Sequence, residues 1–159
     1  MTEPPPSAAG GPPADSPVML TILAGRAWEA RLGTALRAHG LSLRHLGALG
    51  HLAATPGLSY TDLARRAHVT VQSMHATVAT LTGLGAVREP AGGRGRAALL
   101  EVTDRGRELL ATGRDVVAAL DAEFTAALPP AARAGLPLGL LAGLRAAGGP
   151  PAGPGDPPD

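Results

Sequence analysis

The chain has no cysteine. That excludes disulfides, thiolate metal sites and thiol-based redox sensing by this polypeptide. It has no lysine either, so its 14 Lys/Arg positions are all arginine, set against 13 carboxylates. A formal net charge of +1 does not by itself point to a polyanionic partner. The aromatics are Trp28, Tyr60 and Phe124 alone, so the core has to be aliphatic and built from small side chains. The apolar run around Leu138 is too short and too interrupted to span a membrane.

Catalytic patterns are missing as well. There is no Gly-x-Ser-x-Gly elbow and no Ser/His/Asp order. The GGRGR run at 92–96 lacks the Lys-Ser/Thr of a phosphate loop and lies between two strand-like segments. An enzyme has no residues to stand on. His39, His45 and His51 are six apart, which turns successive side chains to different helix faces. No His-x-x-x-His pair supports them, so neither a metal nor a cofactor is expected.

What is present is helical periodicity with polar punctuation. A length of 159 residues suits one domain with some tail. Residues 1–17 and 148–159 are Pro/Gly-rich and read as disordered tails around a single domain at 18–147. The N-terminal tail lacks the basic start of a secretory signal, which favours a cytoplasmic protein. Val18 to His39 reads as a helix with Ile22, Trp28, Leu32 and Leu36 on one face and Gly40 as its stop. Ser42 caps a second helix with Leu46, Leu49 and Leu52 inside, ending at Thr55-Pro56-Gly57. Thr103 to about Leu128 is one long helix with Leu109, Val116, Val117, Leu120 and Phe124 inside. Pro129-Pro130 breaks it. A last helical stretch, Ala131 to Ala147, carries Leu136, Leu140, Leu141 and Leu144, and Pro137 should kink it or split off a short first piece.

The stretch from Ser59 to Gly106 organises the rest. Ser59 with Asp62 is a capping-box-like start, Asp standing in for Glu or Gln. Leu63, Ala64 and Ala67 form a small apolar face, with Arg65 and Arg66 off it. The break at Ala67-His68 is short, as a helix-turn-helix requires. Thr70 caps the next helix, and Val69 and Met74 are spaced for a hydrophobic staple. Met74, Val78 and Leu81 face inward, which leaves Val71, Gln72, Ser73, His75, Ala76 and Ala79 outside. Gly83 and Gly85 end the helix. Ala86 to Arg88 and Ala98 to Val102 read as strands around a Gly/Arg turn that holds Arg94 and Arg96. Ser59 to Arg107 contains seven arginines against four carboxylates, a modest cationic footprint.

These pieces resemble the winged-helix domain of the MarR (multiple antibiotic resistance regulator) family of bacterial transcription factors. The match is carried by DLARRAHVTVQSMHATVATLTGLGAV for the two helices and by RGRAALLEVTDRG for the wing and the helix start. Arg96 falls on the family's wing arginine, whereas Arg94 stands where the family usually has Asp. The resemblance implies a mainly α fold with a small β-hairpin wing. A winged helix-turn-helix at 41–107 would be flanked by dimerisation helices at 18–40 and 108–147. It also implies a homodimer on double-stranded DNA, placed on a pseudopalindromic promoter site as a repressor and released by a small aromatic or phenolic ligand.

Within that frame the DNA-contact candidates are Arg66, Thr70, Gln72, Ser73, His75, Arg94 and Arg96. Gln72 suits bidentate pairing with adenine. Ser73 and His75 reach either a base or only a phosphate, and the wing arginines suit the minor groove. Trp28, Arg44, His45 and His51 could line a ligand pocket, one ring to stack on and three polar groups to orient an anion. The plainer alternative keeps Trp28 in the core and the other three in solvent. A second function class also stays open: a winged-helix module that binds protein, with the wing as a plain loop.

Overall fold

A computed structural model of the chain describes residues 16–89 and 99–148. The expected wing tip, with Arg94 and Arg96, and most of both tails lie outside the described residues. Among the described residues the order is α1 (Pro17–Arg37), α2 (Leu43–Ala54), α3 (Tyr60–Arg66), α4 (Val71–Gly83), β1 (Val87–Arg88), β2 (Glu101–Val102), α5 (Asp104–Ala126), α6 (Pro130–Arg133) and α7 (Leu136–Ala146). This is the mainly α fold with a small antiparallel hairpin that the sequence pattern implies. Two compact units divide inside α5, one through Val117 and one from Ala118 onward.

In the first unit the helix ends follow local chemistry. α1 starts one residue earlier than the pattern suggested. Pro17 occupies its first turn, where a missing N–H costs nothing, and Ser16 Oγ accepts from Met19 N. Its end is a Schellman turn: Gly40 takes φ 72°, and Leu41 N donates to Leu36 O. α2 carries a reciprocal capping box, in which Ser42 Oγ accepts from His45 N and His45 Nδ1 accepts from Ser42 N, both at 3.2 Å. α4 ends in a second Schellman turn, with Gly85 at φ 67° and Ala86 N donating to Leu81 O.

The core is aliphatic. Leu36, Leu41, Leu49, Leu52, Leu63, Met74, Val78, Leu81 and Leu100 are fully buried. Each such side chain contributes about 1.5–3 kcal/mol of transfer free energy. Leu36 from α1 and Leu109 and Leu110 from α5 belong to this same core, so the winged part shares its interior with the flanking helices. The outer half of α1 is not part of it: Val18, Leu20, Ile22 and Leu23 are exposed. Ile22, which periodicity puts on one face with Trp28, Leu32 and Leu36, is thus left exposed among the described residues.

β1 pairs antiparallel with β2, Val87 opposite Val102 and Arg88 opposite Glu101. The regular pairing is shorter than the sequence suggested. A further bridge, Leu58 to Leu100, ties the approach to α3 to the hairpin, with Leu100 N donating to Leu58 O at 3.0 Å. Thr103 then joins the hairpin to α5. Its hydroxyl accepts from Gly106 N at 3.0 Å and donates to Gly85 O at 2.6 Å, while its own N–H donates to Ala86 O.

In the second unit, Pro130 opens α6 at its first position and Pro137 lies in the first turn of α7. Pro137 therefore begins a separate helix, the second of the two outcomes the pattern allowed. Arg133 Nε closes the break by donating to Leu128 O at 3.0 Å. Leu138, Leu140 and Leu144 are exposed.

Gly106 has no room for a side chain. A Cβ there would lie 2.1 Å from Ala86 O and 2.7 Å from Val102 Cγ1, whereas at Gly25 it would meet nothing within 4 Å. Gly106→Ala should destabilise the chain by about 1–3 kcal/mol through overpacking. Gly25→Ala should stabilise it by up to about 1 kcal/mol through helix propensity. Urea-unfolding midpoints check both; equal effects would refute the close approach.

Candidate nucleic-acid interface

α3, a short turn and α4 form the helix-turn-helix. Ser59 Oγ accepts from Asp62 N at 3.1 Å, and the Ser59 hydroxyl donates to Asp62 Oδ2 at 2.7 Å. The box expected here is thus modified: the shorter Asp meets the Ser59 hydroxyl rather than the Ser59 backbone. That hydrogen bond, then the guanidinium of Arg65, holds the Asp62 carboxyl below the usual carboxylate range. α3 ends with His68 at φ 52° and Val69 N donating to Ala64 O, a Schellman turn whose left-handed position is filled by His instead of Gly.

Thr70 opens α4. Its hydroxyl oxygen accepts from Ser73 N at 3.1 Å and its proton goes to Ser73 Oγ at 3.0 Å. Val69 packs against the core and Met74 is fully buried, as a staple requires. Met74, Thr77, Val78 and Leu81 form the inner face of α4. The outer face presents Gln72, His75, Ala76 and Ala79, all exposed, at the i, i+3, i+4, i+7 spacing of one helical stripe. Ser73 is half-buried and bonded to the cap, so among the expected outward residues it is turned toward the turn.

The other candidates fall as follows. Arg66, the last residue of α3, is exposed and donates from Nη1 to Thr55 Oγ1 at 2.7 Å. The His75 ring stacks on Tyr60, centroids 4.0 Å apart and planes 16° from parallel. Tyr60 went unnoticed in the sequence, where its only signal was that it is one of three aromatics. Burial and then the nearby Glu89 carboxylate push the Tyr60 phenol up. Below α4 the hairpin stem carries a cross-strand ion pair, Arg88 to Glu101 at 2.7 Å.

The four candidates for a ligand pocket are distributed along α1 and α2. Trp28 is half-buried, with the Arg31 guanidinium 4.6 Å above its ring centroid. Arg44 is exposed. His45 is half-buried and committed through Nδ1 to the α2 cap. Its pKa is depressed by burial and then by Arg44. His51 is depressed by burial, then by Arg66 and His68. A cleft of about 350 Å³ opens elsewhere, between Leu52, Ala53 and Pro56 on one side and Arg88, Glu101 and Arg107 on the other. None of the four lines it. Among the described residues no group of three or more His, Asp or Glu could hold a metal ion, and no helix is long and apolar enough to cross a membrane.

Known proteins share this arrangement. The model of the MarR family matches residues 39–97. The HTH-type transcriptional repressor Rv2887 of Mycobacterium tuberculosis is 37% identical over 116 residues, covering 72% of this chain and 84% of that protein. This chain belongs to the MarR family. The crystal structure of Rv2887 in complex with DNA superposes with a TM-score of 0.69 at 32% identity, covering 79% of this chain and 96% of that one. The crystal structure of Rv2887 in complex with salicylic acid gives 0.64 at 34% identity, covering 80% and 96%. MarR family membership places the chain among transcriptional regulators.

The two depressed histidines make stability depend on pH. Both stay neutral in the fold below the pH at which they would charge in the unfolded chain, near 6.5. The unfolded state therefore binds more protons as pH falls through that value, and stability drops until the folded-state pKa values are passed. Urea midpoints at pH 7.5 and 5.5 should differ in that direction. His45→Gln with His51→Gln should flatten the difference; an unchanged pH dependence would refute the assignment.

Proposed function

We propose that this MarR family protein is a homodimeric, cytoplasmic repressor that reads a pseudopalindromic promoter site through α4 and is released by an aromatic carboxylate. The observation that carries the reading is the exposed Gln72–His75–Ala76–Ala79 stripe on a helix whose inner face and both ends are fixed. Such a helix fits the major groove. Gln72 at its second position suits the N6/N7 edge of adenine, and the methyls of Ala76 and Ala79 suit thymine. Thr70, Ser73 and Arg66, around the turn, suit phosphates that set the docking register. Arg94 and Arg96 suit the minor groove beside it.

The exposed leucines of α7 and the apolar outer half of α1 support dimerisation. A second copy would cover them and would place a second reading helix about one DNA turn away. A dimer on a promoter represses by occupying the path of the polymerase.

The effector proposal follows the salicylate-bound relative. His45 accepts a backbone N–H at Nδ1, so its proton resides on Nε2, positioned to donate to a carboxylate. Arg44 supplies charge, and Trp28 and His51 supply ring surface. His45→Glu preserves the α2 cap, since Glu is a normal partner in a capping box, and has no N–H to donate.

One binding assay tests these roles. Duplexes enriched from a random pool by the full chain are titrated by gel shift. Gln72→Ala should cost about 1–3 kcal/mol on the enriched duplex and little on random DNA. Salicylate should weaken the wild-type complex, and His45→Glu should lose that response while binding DNA normally. Failure to enrich any duplex refutes DNA reading; a full salicylate response in His45→Glu moves the effector site away from α2.

A further inference from the structure

The Tyr60–His75 stack joins the first residue of α3 to the outer face of α4. Tyr60 is half-buried and His75 is exposed. One face of the imidazole is therefore covered by the phenol ring at a 4.0 Å centroid distance, and the rest of the ring remains open. A histidine on an exposed helix face ordinarily samples several rotamers and loses that freedom when it meets a partner. Here the stacked geometry already selects one. Tyr60 is itself held, by its place in the first turn of α3 behind the Ser59 cap and by packing against the core. We propose that Tyr60 is a positioning residue that pre-orders the His75 ring for contact with a base edge in the major groove, so that part of the sequence specificity of α4 originates on α3.

The inference rests on the DNA reading proposed above and assigns a role to a residue outside the recognition helix. Pre-ordering one side chain is worth roughly two- to twelve-fold in affinity. It acts only where His75 makes its specific contact. Tyr60→Leu in the full chain should weaken binding to the enriched duplex by that factor and leave binding to random duplex unchanged. Tyr60→Phe keeps the ring and should stay within about twofold of wild type. In a His75→Ala background, Tyr60→Leu should add nothing, because the group it positions is gone. Equal losses on both duplexes, a Tyr60→Phe as weak as Tyr60→Leu, or an undiminished Tyr60→Leu cost without His75 would each overturn the proposal.

A measurement free of folding concerns accompanies these. Proton NMR of the unmodified chain should show the His75 ring protons shifted upfield by the tyrosine ring before DNA is added. Random-coil shifts for that imidazole would overturn the pre-ordering. A wild-type chain that enriches no duplex defeats the DNA reading and this role with it. An enriched duplex insensitive to these substitutions defeats this role alone.

Discussion

The close approach of Gly106 to the Ala86 carbonyl is the constraint on which the rest of the first unit depends. It brings the first turn of α5 against the residue where α4 has just ended and β1 begins. Thr103 makes the junction polar as well as tight: it bonds Gly85 O, Ala86 O and Gly106 N with one hydroxyl and one amide. α4, the hairpin stem and α5 thereby meet at one point. A shift of α5 would be transmitted to the base of α4 through backbone contacts rather than through side chains that could relax. In the proposed dimer, that junction would be the physical route by which pairing of the flanking helices sets the orientation of α4.

A similar economy marks the α2–α5 contact. At Gly113 a Cβ would lie 2.4 Å from Leu46 Cδ1. The absence of a side chain there lets α5 sit close on α2, and Leu46 is only partly buried as a result of packing at the rim rather than inside. A core short of aromatics has to gain its stability from such approaches, since each small aliphatic residue buries little area by itself.

Much of this was legible in the sequence, because caps and apolar spacing are local signals. Ser42, Ser59, Thr70 and Thr103 each mark a helix start that the structure contains, and Met74, Val78 and Leu81 face the core as their spacing requires. What escaped depended on contacts between distant residues. The bridge from Leu58 to Leu100 joins positions far apart in the chain. The commitment of His45 to the α2 cap requires its ring to fold back on Ser42, and His is not the residue type usually found there. His68 takes a left-handed conformation that Gly ordinarily signals. The Tyr60–His75 stack is set by the crossing of α3 and α4, which periodicity within either helix does not encode. Periodicity also gathers Ile22 onto one face of α1 with Trp28, Leu32 and Leu36, yet Ile22 is exposed. It reports that a face is apolar and is silent on whether this chain or a second copy covers it.

The central claim is that α4 enters the major groove as one of a symmetric pair. Dimethyl-sulfate protection of guanine N7 on an enriched duplex reads that groove directly. The account predicts two protected patches about 10 base pairs apart, related by the symmetry of the site. A single protected patch, or minor-groove protection with every guanine N7 still reactive, would contradict it.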